Sequence, residues 1–91
     1  MTNANDETTT ARIRRVLAEH GRLSSDAAGL DEAADLYQAG MTSHASVNLM
    51  LALEGEFDVE FPDHMLRRGV FASIAAIRAA INELTAGSPK P

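Results

Sequence analysis

The sequence predicts a small all-α bundle of three longer helices, one short helix and a long first loop. Three observations carry this. Apolar residues recur at helical spacing in three separate stretches, around Ile13, Leu49 and Ile77. Turn formers such as Ser24-Ser25-Asp26, Gly29 and Gly40 fall between the first two stretches. The chain has 91 residues, enough for one domain and not for two. A chain this short has no room for a deep preformed pocket lined by a catalytic constellation.

Residues 1–7 are polar and read as a disordered tail, 8–85 as the folded domain and 86–91 as a frayed C-terminal tail. The first helix is expected to start near Thr8 to Thr10, where a hydroxyl can cap it. Ile13, Val16, Leu17 and His20 share one face of it, and Gly21 stops it. Residues 22–42 form a long connection. A linker of this length needs anchoring, and Leu23, Leu30, Leu36 and Met41 are the residues to pin it to the core. Ala27-Ala28 and Asp31 to Asp35 are short enough for single helical turns. The second helix runs from Ser43 to Gly55 or Glu56. Leu49, Met50, Leu53 and Phe57 cluster on one side of it, with Val47 and Leu51 on an adjoining side. That surplus of apolar residues suggests a partner surface; the other reading is a wide core-facing stripe.

Phe57, Val59 and Phe61 alternate with Asp58 and Glu60, a strand signal with no partner strand, so the segment reads as an extended loop. Pro62 suits the first position of a short third helix, Asp63 to Arg68. The last helix starts near Ser73 and carries Ile74, Ile77, Ile81 and Leu84 on one face; Gly87, Pro89 and Pro91 end it.

Composition excludes several functions. There are no cysteines, so disulfides and thiolate metal sites are ruled out, and a cytoplasmic location fits. No stretch is long and apolar enough to span a membrane, and residues 1–10 lack the apolar segment of a secretory signal. Charge is unevenly placed. Between Leu23 and Leu66 there are nine acids and no Lys or Arg, while the ends hold all eight bases. Nucleic acid is an unsuitable partner, because phosphate contacts need clustered cations. The acids suit either steering toward a basic protein surface or simple solvation.

The segment Gly40-Met41-Thr42-Ser43-His44 leads straight into the second helical pattern. Gly40 permits a tight turn, and Thr42 or Ser43 can cap the helix. The hydroxyl of Ser43 is then exposed at a helix N-terminus, where a phosphodiester is electrostatically welcome. Catalysis by Ser43 with His44 does not follow, since adjacent helical residues point in different directions. His20, His44 and His64 lack metal-site spacing. Met41, Met50 and Met65 read as core fillers. Arg67-Arg68 reads as solvating the end of the third helix rather than binding phosphate.

With its surroundings, this segment resembles the acyl carrier protein family. The matching text is Asp35-Leu36-Tyr37-Gln38-Ala39-Gly40-Met41-Thr42-Ser43, then Val47, Leu49, Met50, Leu53, Glu54 and Phe57, then Phe61-Pro62. The likeness spans Ile13 to Leu84, most of the chain. It implies an acyl-carrier-like bundle with 8–85 as the carrier domain. It further implies that Ser43 bears 4′-phosphopantetheine, delivered from coenzyme A by a phosphopantetheinyl transferase, and that cargo rides as a thioester on the arm's thiol. Such a domain is not an enzyme. Thr42 stands where the family usually has Asp, and His44 where it usually has Leu. Loss of that Asp removes a helix-terminal charge worth about 0.3–1 kcal/mol.

Together with Ala45 and Asn48, these two departures resemble the stand-alone aminoacyl carrier protein branch, whose members are loaded by ligases related to seryl-tRNA synthetase. The implied cargo is therefore an aminoacyl group, passed from an amino-acid ligase to a downstream acceptor enzyme. The alternatives are a conventional acyl or polyketide carrier loaded by an acyl ligase, and an unmodified helical interaction module. Thr42, His44, Val47, Leu51 and Glu54 form the expected partner-contact set, around a monomer that binds neither nucleic acid nor membrane. Ala72, Ala75, Ala76, Ala79 and Ala80 are expected to pack the last helix closely and leave little spare volume for a fatty chain.

Overall fold

The computed structural model describes residues 4–21, 23 and 29–86. Three α-helices form the frame: α1 (Ala4–His20), α2 (Ser43–Phe57) and α3 (Ile74–Ala86). Two short 3₁₀ turns, Asp63–Met65 and Arg68–Phe71, join α2 to α3. No strand occurs among the described residues, and no described helix is long and apolar enough to cross a membrane.

Each helix contributes the stripe its periodicity announced. Ile13, Val16 and Leu17 of α1, Leu49 and Leu53 of α2, and Ile74, Ile77 and Ile81 of α3 are all buried. Ala45 adds a small buried contact at the start of α2. Met50, Phe57 and Leu84 are only partly buried against this core. His20 shares the α1 face in projection yet is exposed, because the helix end carries it past the core.

Helix α1 begins at Ala4, earlier than the Thr8 start expected, so residues 4–7 are helical rather than tail. Glu7 is exposed in its opening turns, where an acid complements the helix dipole. Residues 1–3 and 87–91 lie outside the described residues, as do the expected turn at Ala27-Ala28 and Gly87, Pro89 and Pro91. At the other end of α1, Gly21 N–H donates to Leu17 O at 2.7 Å. A Cβ on Gly21 would lie 2.7 Å from Leu17 Cδ1 and 2.8 Å from Leu17 O, so only glycine fits there.

The first loop is held as its apolar residues predict. Leu36 and Met41 are buried, and Leu23 and Leu30 pack partly against the core. Hydrogen bonds complete the anchoring: Leu36 N–H donates to Ala72 O at 2.7 Å, and Ala75 N–H to Glu32 O at 3.0 Å. Arg78 of α3 donates to Thr10 Oγ1 of α1 at 2.9 Å and pairs with Glu32 of the loop at 2.7 Å, tying three elements at one guanidinium. Asp31 and Asp35 each accept from backbone amides two residues on, closing local turns.

Helix α2 runs one residue further than Glu56 and ends with Asp58 in the left-handed region at φ 54°. Asp tolerates that conformation better than most residues. Val59 N–H reaches back to Glu54 O at 3.1 Å. The loop expected from Phe57 begins only after Asp58, because Phe57 closes α2 and Asp58 is left-handed; it delivers Phe61 to the core, edge-on to Phe71 at 5.3 Å between ring centroids. The expected helix over Asp63 to Arg68 is replaced by the two 3₁₀ turns. Leu66 (ψ 61°) and Arg67 (φ −123°, ψ 153°) leave helical geometry between them. This break lets both Met65 and Phe71 turn into the core, which one continuous short helix would not allow. Helix α3 is capped by Ser73, whose Oγ accepts from Ala76 N–H at 3.1 Å.

Candidate functional site: the serine at the start of helix α2

The placement of Ser43 follows from the three residues before it. Gly40 takes φ 117°, a conformation L side chains rarely adopt. Met41 is buried, and its N–H donates to Leu36 O at 3.0 Å, fixing the chain just ahead of the helix. Thr42 is the N-cap: its Oγ1 accepts from Ala45 N–H at 3.0 Å, and its carbonyl accepts from Ser46 N–H at 2.9 Å. Ser43 is then the first residue of α2, with its side chain exposed. Its own amide and that of His44 precede the first intrahelical bond.

Ser43 opens onto a groove of about 520 Å³ between α2 and the second 3₁₀ turn. Phe71 and Met50 are its more buried apolar lining, with Val47 and Leu66 more exposed. Ser46, Tyr37, Arg67 and Arg68 complete the lining. Ser46 Oγ donates to Ser43 O at 2.6 Å, which keeps this second hydroxyl turned to the helix backbone. The Arg68 guanidinium stacks 3.7 Å from the centroid of the Tyr37 ring, and Tyr37 Oη donates to Arg68 O at 3.4 Å.

The expected contact residues are not brought together. Val47 lines the groove with Ser43. Leu51 instead lines a separate depression with Glu19, His20, Asn48 and Ala52, on the α1 side. Val47 and Leu51 are nonetheless 52% and 55% exposed, so neither belongs to the core stripe. Thr42 is committed to its cap. His44 is exposed and outside the groove lining. Glu54 uses its carboxylate internally, accepting from Phe61 N–H at 2.9 Å. Leu66, Arg67 and Arg68 also line the groove, although nothing local in the sequence ties them to Ser43. The alanines also depart from expectation: Ala80 is buried, but Ala79 is exposed. Ala76, Ala79 and Ala80 line a second open groove rather than a tight contact.

Electrostatics are redistributed by folding. Glu56 is gripped by Arg12 at 2.7 Å and Arg15 at 2.6 Å. Hydrogen bonds from Arg12 and then Arg15 hold its carboxyl below the usual glutamate range. Arg12 also lies 4.2 Å over the Phe57 ring. The acid-rich middle is thus partly neutralised by bases from the ends. No group of three or more His, Asp or Glu among the described residues could hold a metal ion.

An exposed serine at a capped helix start, beside an open groove and two cations, fits a covalently attached phosphodiester arm. The chain matches the phosphopantetheine attachment site family over residues 11–82 and belongs to that family of carrier proteins. It is 47% identical over 77 residues to the aminoacyl carrier protein of Agrobacterium fabrum, covering 85% of this chain and 93% of that one. Its fold matches a carrier protein from Agrobacterium tumefaciens solved with an engineered Bradyrhizobium japonicum glycine:[carrier protein] ligase and ATP. There the TM-score is 0.81 at 46% identity, covering 84% of this chain and 99% of that one. It also matches a chain in the structure of Bradyrhizobium japonicum glycine:[carrier protein] ligase complexed with glycylated carrier protein, at TM-score 0.69 and 29% identity over 80% of this chain and 97% of that one. The cofactor of the family is phosphopantetheine, and its members serve partner enzymes rather than catalyse.

Proposed function

We propose that Ser43 Oγ carries 4′-phosphopantetheine and that the protein carries an aminoacyl group on the arm, between enzymes. The observation that supports this best is the exposed Ser43 at the capped start of α2, beside an open groove. The arm supplies a terminal thiol, on which an activated carboxyl is held as a thioester. This chain's own residues position the arm. Gly40, Met41 and Thr42 hold the serine in place, and the groove gives the arm an apolar wall to lie against. The partners are a phosphopantetheinyl transferase, an amino-acid ligase and a downstream acceptor enzyme, met in the cytoplasm. An aminoacyl group carries a charged amine, which is costly to bury without a partner. The groove is open enough to leave that amine in water.

The reading is tested by intact mass after treatment with a broad-specificity transferase and coenzyme A. Wild type and Ser46→Ala gain one arm, and Ser43→Ala gains none. An arm on Ser43→Ala, or none on the wild type with several transferases, overturns the assignment.

A further inference from the structure

The protein is acidic, with a net charge of −5. Most of its described arginine charge is spent internally. Arg12 and Arg15 pair with Glu56, and Arg78 pairs with Glu32. Arg14 donates to Leu30 O. Arg67 and Arg68 are different. Neither pairs with a carboxylate among the described residues, and both line the groove that Ser43 opens onto. Two uncompensated cations in an acidic protein therefore sit at its one expected attachment point.

Arg68 is also preset. Its guanidinium carbon lies over the Tyr37 ring, 3.7 Å from the centroid. Stacking uses the flat face of the guanidinium and leaves its N–H edge free to donate. Tyr37 is itself fixed. It follows the buried Leu36, whose N–H is tied to Ala72 O, and its own N–H donates to Asp35 at 2.9 Å. An arginine held this way loses little freedom when it meets an oxyanion. A guanidinium edge matches two phosphate oxygens at once, with charge-assisted bonds stronger than neutral ones. Asp35, the acid nearest in sequence to Tyr37, is occupied by the amides of Tyr37 and Gln38.

We infer that Arg67 and Arg68 form a cationic clamp for the phosphodiester that joins the arm to Ser43. The clamp rests on the reading of Ser43 as the attachment site. It gives the arm a defined direction from its root, over the groove wall formed by Phe71 and Met50. No bond is made or broken in this step; two guanidinium edges replace water around a singly charged phosphodiester. The contact is exposed, so salt weakens it.

The experiment uses the phosphopantetheinylated protein, with mass confirming the arm in every sample. Wild type, Arg67→Gln, Arg68→Gln, the double Gln variant and the double Lys variant are compared by phosphorus NMR and by the arginine Nε–Hε resonances. In the wild type, the Nε–Hε resonances of Arg67 and Arg68 move when the arm is added, while that of Arg78 does not. In the double Gln variant the phosphorus line shifts by more than its width at low salt. That difference shrinks as salt is raised, and the Lys pair restores part of it. Identical phosphorus lines and unmoved Arg67 and Arg68 resonances overturn the clamp. Slower modification of the double Gln variant with an unchanged phosphorus line shows the arginines meeting the partner enzyme, which also overturns it. Failure of the wild type to gain an arm is a separate result: it removes the attachment reading itself, and the clamp with it.

Discussion

Truncating Leu51 separates a partner-facing edge from a core stripe on one helix. Leu51 is 55% exposed, while Leu53, two residues on, is fully buried. Full burial of a leucine side chain is worth about 1.5–3 kcal/mol. A side chain a little under half buried therefore loses about 1 kcal/mol or less on truncation. Leu53→Ala also leaves a cavity and costs about 2–5 kcal/mol. Urea unfolding of Leu51→Ala, Leu53→Ala and the wild type compares these directly. The same proteins, carrying the arm, are then titrated with an amino-acid ligase to obtain kcat/KM for loading. Leu51→Ala should leave the unfolding midpoint nearly unchanged and lower kcat/KM; Leu53→Ala should lower stability strongly. A stability loss of 2 kcal/mol or more at Leu51 would place it in the core. An unchanged kcat/KM would remove it from the partner edge.

Gly40→Ala forces a Cβ onto a residue at φ 117°. Strain of about 1–3 kcal/mol is expected, seen as a lower thermal midpoint together with slower modification of Ser43; an unchanged midpoint would mean the turn relaxes at no cost. Glu56 is held below the usual glutamate range by Arg12 and Arg15. A depressed carboxyl contributes stability above its unfolded value, about pH 4.3, and loses it as pH falls through the folded value. Stability of the wild type should therefore exceed that of Glu56→Gln most at neutral pH, with the gap closing on acidification; a gap that widens in acid would refute the pairing. Association with the transferase or ligase should slow between low and moderate salt, because acids such as Asp58, Glu60 and Asp63 are exposed and screened beyond about 8–10 Å. A flat rate across that range would assign these acids to solubility alone.

Short-range chemistry encodes the features of this protein that can be read along the chain. The three helices follow from apolar spacing within each segment, and Leu36 and Met41 announce the anchoring of the first loop. Ser43 is legible because everything that places it lies within a few residues: the Gly40 turn, the Met41 anchor and the Thr42 cap. What converges on that serine depends on contacts between distant segments. Leu36 N–H bonding to Ala72 O brings the first loop against the second 3₁₀ turn, and so Tyr37 meets Arg68 and Arg67 faces the groove. The break at Leu66 and Arg67 is set by the need to bury both Met65 and Phe71, a demand of the core rather than of local propensity. The same holds for charge. Glu54 and Glu56 look alike in sequence, yet one is used by Phe61 N–H and the other by two arginines of α1. Hydrogen bonds and charge pairs between distant segments depend on which surfaces the buried residues bring within about 3–4 Å. Periodicity and capping signals extend only over a turn or two, so they cannot carry that information.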